Sequence, residues 1–182
     1  ISVDNGKTIS FKINTDSSNY RIDIYRLGYY GGMGARKVDT IQHTGVQSQP
    51  TPLRNAATGT VDAGNWSVSA SWTVPDDAVS GVYIAKLVRQ DGTFGENHIP
   101  FIVRDDDSHS DIVFQTADQT WQAYNGWGGA NFYGGNGPAT GQGAGRAYAV
   151  SYNRPIATSG EVGPFSGHQG YLFCGENGVI YC

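Results

Sequence analysis

The stretch "TISFKIN", residues 8 to 14, alternates apolar and polar positions and sets Ile9, Phe11 and Ile13 on one face of an extended strand. "YRIDIYRL", residues 20 to 27, repeats the pattern, with Tyr20, Ile22 and Ile24 opposite Arg21, Asp23 and Tyr25. "WSVSASWTV" places Trp66, Val68, Ala70 and Trp72 on one side and serines on the other. "GVYIAKLV" and "HIPFIV" are more uniformly apolar, as in strands covered on two sides. Glycine, asparagine and proline punctuate these runs at sandwich-like intervals, and no segment carries a 3.6-residue stripe. Residues 1–104 therefore predict an immunoglobulin-like or fibronectin-like β-sandwich. Within it, "SGVYIA" has the spacing of a tyrosine corner, in which the Tyr83 phenol bonds back to an upstream backbone group.

The acidic "RDDDSHSD" breaks this pattern, and residues 105–110 read as a linker. Its three aspartates could attract a cation, but adjacent like charges repel and extend a segment. A different grammar follows over residues 111–182. "DIVFQ" reads as a short apolar strand, and Asp118 as the N-cap of a helix "QTWQAYN" that Gly126 ends. On that helix Trp121 and Tyr124 share a face. Strand, turn and helix open an α/β unit, whose ligand crevice lies at the C-terminal end of the strand. "RAYAVSYN" alternates again, and "GYLFCGENGVIYC" reads as a short helix, a turn and the start of a strand. The fold expected is thus mainly β with an α/β part. About 70 residues are few for a parallel α/β domain, so a chain truncated at its C-terminus is expected.

Composition narrows the function. The formal net charge is −4 and no lysine or arginine cluster occurs, which argues against nucleic acid or an anionic membrane surface as partner. No apolar run approaches the length of a membrane span. "ISVDNGKTIS" reads as a mature start without a signal peptide. Abundant tryptophan and tyrosine with few lysines suit a secreted protein. Cys174 and Cys182 could bridge across "CGENGVIYC" or remain two thiols. The usual hydrolase, phosphate-loop and zinc motifs are absent from the sequence. His43, His98, His109 and His168 stand singly, which suits surface or structural roles, and Ser151 and Ser166 lie near no base in sequence.

Aromatic residues among glycines remain. "YRLGYYGGMGAR", residues 25 to 36, reads as aromatic packing around an irregular corner. In "WQAYNGWGGANFYGG", Trp121, Tyr124, Trp127, Phe132 and Tyr133 could form a stacking platform or a lid over a pocket.

Five ordered blocks, "YRIDIYRLGYYGGMGAR", "SASWTVPDDAVSGVYIAKLVR", "IPFIVRDD", "SDIVFQTADQTWQAYN" and "VSYNRP", together resemble the large subunit of N,N-dimethylformamidase and its secreted bacterial relatives. The resemblance implies a sandwich followed by the N-terminal portion of an amidotransferase-like α/β domain. It also implies amide hydrolysis at a mononuclear iron held by two tyrosine phenolates and a glutamate. Hard anionic oxygens suit such an ion, whose charge removes the phenol protons despite a free pKa near ~10. Tyr124 of "TWQAYN" matches the first ligand and Tyr152 of "SYNRP" the second, with Tyr148 as the alternative. Trp121 and Trp127 would then shape the pocket, and Asn125 or Asn153 would orient a small amide substrate. Arg154 reads as a structural anchor. Glu176 does not match the family's glutamate block, so the third ligand is missing. That absence keeps two other readings open: a secreted lectin-like or adhesin-like module that stacks a glycan on the aromatic loop, and a structural subunit of a homo-oligomer.

Overall fold

The computed structural model of the chain describes residues 1–157; Ser166, His168, Cys174, Glu176 and Cys182, singled out above, lie outside the described residues. The described residues are mainly β, in three sheets. In chain order the strands are β1 (Ser2–Asp4), β2 (Thr8–Phe11), β3 (Asn19–Leu27), β4 (Ala35–Thr44), β5 (Leu53–Asn55), β6 (Thr60–Asp62), β7 (Ala70–Thr73), β8 (Gly81–Arg89) and β9 (Glu96–Arg104), followed by helix α1 (Asp118–Tyr124). The chain divides into two compact units. The first comprises Ile1–Gln49 and Ser67–Gln115, and the second comprises Pro50–Trp66 and the described residues from Thr116 onward.

In the first unit, a five-stranded sheet runs in the order β1-β9-β8-β3-β4, and β2 pairs with β7 in a separate two-stranded sheet. Only the β1–β9 pair in the large sheet is parallel. The alternation read in the sequence explains the packing. Tyr20, Ile22 and Ile24 from β3 join Tyr83, Ala85, Phe101 and Val103 from β8 and β9, and meet Phe11, Ile13, Trp72 and Val74 in one buried cluster. Edge-on aromatic contacts tie the layers, Phe11 to Phe101 at 5.8 Å and Trp72 to Phe101 at 6.0 Å between ring centroids. Such a core is that of a β-sandwich. The Tyr83 phenol donates to the Val79 carbonyl at 2.8 Å, the bond its position in "SGVYIA" foretells.

The "GYYGGMG" corner between β3 and β4 is a packing device. Tyr30 takes a φ of +40°, flanked by Gly31, Gly32 and Gly34 at positive φ. Its ring lies under Arg36 (5.3 Å) and Arg26 (5.9 Å), and Arg26 Nη1 donates to its hydroxyl.

One charged group is buried in this unit. Asp23 accepts from Arg21 Nε at 2.9 Å and from Thr40 Oγ1 at 2.8 Å, with Lys37 Nζ at 3.5 Å. Burial pushes its carboxyl pKa up, but the bonds from Arg21 and Thr40 and the charges of Arg21 and Lys37 outweigh that, so the net displacement is downward. A carboxyl depressed on folding contributes stability above its unfolded value of about 3.9 and loses it as pH falls through the lower folded value. Urea unfolding should therefore show the wild type losing stability below about pH 4. Asp23→Asn should cost about 1–2 kcal/mol at neutral pH and flatten the acid side; an unchanged acid slope would count against this role.

The sequence misplaces one boundary. "WSVSASWTV" becomes a strand only from Ala70, because Trp66 belongs with the second unit and Val68 is exposed. Gln49 marks this departure point. Its Nε2 donates to the Ile13 and Ser67 carbonyls and its Oε1 accepts from Ser67 N. "DIVFQ" is irregular rather than a strand, with Ile112, Val113 and Phe114 each at least 82% exposed. Apolar composition alone cannot make a strand without a partner for its backbone groups.

Candidate functional site

The second unit is built from a hairpin, a seven-residue helix and glycine-rich loops. The β5–β6 hairpin bonds repeatedly to those loops. Arg54 Nη1 donates to the Gly128 carbonyl, Thr60 Oγ1 to that of Ala149, and Ser151 Oγ to Asp62 at 2.7 Å. Val61 is buried, and Trp66 meets Trp127 edge-on at 5.9 Å while its Nε1 donates to the Pro50 carbonyl. Gly135 and Gly145 explain the glycine content. Both have positive φ, and a Cβ on either would collide with neighbouring backbone. These loops pack main chain on main chain, which larger residues forbid.

Helix α1 starts one residue earlier than the capping argument suggests. Ala117 is the N-cap and makes no side-chain cap bond, while Asp118 lies in the first turn, where its charge complements the helix dipole. Behind the helix sits Arg154, 6% exposed. Its guanidinium donates from Nε to Gln122 Oε1, from Nη1 to the carbonyls of Trp127 and Ala130, and from Nη2 to the carbonyl of Gln122. All these acceptors are neutral, and burial pulls the pKa down to about 10, which still leaves the group charged at neutral pH. Arg154 thus fastens α1 to the following loop. Asn125 does the same from the helix end. Its Nδ2 donates to the Pro155 carbonyl at 2.8 Å, and its Oδ1 accepts from Trp127 N and Ala157 N.

The phenols fall into separate settings. The Tyr124 ring stacks on Tyr133, centroids 4.2 Å apart and planes 17° from parallel. The neighbouring Tyr124 phenol, through hydrogen bonding and charge, raises the Tyr133 pKa above its ordinary value. Buried Asn131 holds the pair in register: its Nδ2 donates to the Tyr124 carbonyl at 2.9 Å, and its Oδ1 accepts from Tyr133 N at 2.8 Å and Gly134 N at 3.0 Å. Tyr152 is associated with Asp118, at the opposite end of α1. Desolvation, followed by the charge and hydrogen bond of Asp118, raises its pKa. Tyr148 is exposed and lies under the Arg146 guanidinium at 5.8 Å.

Of the other residues expected in a site, Trp121 and Trp127 are half-buried on or beside α1. Asn153 is exposed, and its Nδ2 reaches Asp62 at 3.4 Å. Among the described residues no three His, Cys, Asp or Glu side chains gather into a group able to hold a metal ion. Sequence reasoning missed Tyr133 as Tyr124's partner. The signal lay in "NFYG", where an asparagine two residues before a tyrosine and three before a glycine makes a side-chain-to-backbone turn.

Compared with known families, residues 21–178 match the family described as N,N-dimethylformamidase beta subunit-like, C-terminal. At family level this agrees with the resemblance carried by the five sequence blocks. No curated protein matches the chain.

Proposed function

Because the chain belongs to the N,N-dimethylformamidase beta-subunit-like family, we propose that it is a dimethylformamidase-like amide hydrolase or part of one. In this reading its first unit is an immunoglobulin-like sandwich, and its second opens an amidotransferase-like α/β domain. The observation that supports the reading is the stacking of Tyr124 on Tyr133 at the end of α1, inside the family-matched stretch. Phenol oxygens, once deprotonated, suit a hard, highly charged ion such as iron. When bound there, iron would polarise an amide carbonyl and acidify a water molecule.

The chain's own residues would prepare that chemistry. Tyr124, at the last position of α1, would present an anionic oxygen once its proton leaves. Trp121 and Trp127 would exclude bulk water from a small amide, which strengthens every charge interaction near the reacting carbonyl. Asn125 and Arg154, whose polar atoms bond to the backbone of these loops, hold the helix in place beneath it.

The test is turnover of dimethylformamide by the iron-loaded full chain, followed as dimethylamine release. Iron-dependent release is expected. An iron-loaded chain that releases none would contradict the enzymatic reading and favour a glycan-stacking surface, for which the exposure of Tyr133, Tyr148 and Tyr152 is the supporting observation.

A further inference from the structure

We infer that one end of the first unit docks onto a second copy of this chain, the Arg36 corner of each copy against the Asp105–Asp107 run of the other. Such pairing needs neither iron nor catalysis. Strand registers bring both features to that end. Asp4 of β1 lies beside Arg104 of β9, Val103 of β9 beside Gly81 of β8, Tyr83 of β8 beside Arg26 of β3, and Arg26 beside Arg36 of β4. In the order β1-β9-β8-β3-β4, charge therefore changes sign across the end of the sheet. Acids gather on the β1–β9 side, where Asp106 N donates to Asp4 and exposed Asp105 and Asp107 follow the last strand. The β3–β4 side carries two guanidinium groups over the single Tyr30 ring.

Neither side is neutralised within the chain. Among the described residues Arg26 and Arg36 form no ion pair, and neither do Asp105 and Asp107. Arg26 donates only to neutral oxygens, the Val79 and Ser80 carbonyls and the Tyr30 hydroxyl. Like charges set directly opposite on paired strands repel, so exposed Arg36 gains from a carboxylate brought from outside. Apolar side chains stand in water around it: Tyr29 is 82% exposed, Met33 73% and Val79 57%. Tyrosine, methionine and arginine are the residue types that interfaces concentrate.

A second copy supplies the carboxylates because the geometry closes on itself. Adjacent strands are about 4.8 Å apart, so β9 is separated from β3 and β4 by about 10–14 Å. A two-fold axis parallel to the sheet normal, just beyond this end and midway between the two sides, lays corner on acidic run and acidic run on corner together. β8 lies between β9 and β3, which brings Val79, two residues ahead of β8, near that axis as an apolar centre between the charged pairs. So small a patch makes a weak, salt-sensitive contact rather than an obligate one.

Sedimentation velocity of the full chain over rising concentration is the test. The wild type should pass from monomer to dimer, and raising the salt to about 1 M should weaken association at least about tenfold. Arg36→Glu and the double variant Asp105→Lys/Asp107→Lys should each lose self-association at least about tenfold, with near-ultraviolet circular dichroism checking that both fold. Mixed together, the two variants should bind each other more tightly than either binds itself, because both contacts of the mixed dimer again join opposite charges. A wild type that stays monomeric overturns the inference. So does a dimer indifferent to salt or to either variant, and so does a mixture that associates no better than its components.

Discussion

Replacing Arg154 by methionine is expected to destabilise the second unit by about 3 kcal/mol. The side chain is 6% exposed, and its four bonds end on Gln122 Oε1 and on the carbonyls of Gln122, Trp127 and Ala130. Methionine fills most of the volume and brings no buried charge, so the guanidinium's desolvation cost disappears with it. What remains is a set of carbonyls without their donors, each a loss of about 1–3 kcal/mol when buried. The loss of donors outweighs the relief, because several main-chain acceptors are left without a partner. Three of the four tryptophans, Trp66, Trp121 and Trp127, belong to the second unit. Urea unfolding followed by fluorescence will register the change, and hydrogen exchange should localise it to α1 and the 126–131 loop. A shift below about 1 kcal/mol would mean that water serves these carbonyls as well as the arginine does.

Tyr124→Phe should have the larger functional effect, at least about 100-fold on iron affinity and on any iron-dependent turnover. The change is confined to one oxygen. The ring still stacks on Tyr133, and the bond from Asn131 reaches the backbone carbonyl, not the side chain. Loss of stability should stay within about 1 kcal/mol, so a fall in iron binding cannot be assigned to unfolding. Equal iron binding by the phenylalanine variant would remove Tyr124 from the ligand set.

The first unit was largely legible because its strands bury one face. The period-two alternation of "YRIDIYRL" predicts which side chains of β3 enter the core, and Tyr20, Ile22 and Ile24 are the ones that do. Asp23, on the other face, is buried too, since Arg21, Thr40 and Lys37 converge on it from two strands. That convergence depends on β3–β4 pairing, which composition does not carry. The second unit was less legible because its order comes from long-range polar bonds. Trp66 reads locally as a strand residue, yet its partners are Pro50 and Trp127. "RAYAVSYN" alternates like a strand but forms none, as its backbone is engaged piecewise, for example from Tyr148 N to the Thr58 carbonyl. Tyr124 was singled out in the sequence by the "TWQAYN" block and paired there with Tyr152. Its stacking partner Tyr133 was not, because long-range bonds from Asn131 and from Phe132 N to the Ala123 carbonyl bring the two rings together.

The most direct measurement is the visible absorption of the full wild-type chain as ferric citrate is added. If Tyr124 and a second phenol grip iron, a charge-transfer band should grow to saturation in step with bound metal and vanish in Tyr124→Phe. Iron that binds without colour, or a band that persists in Tyr124→Phe, would contradict a phenolate centre at the end of α1.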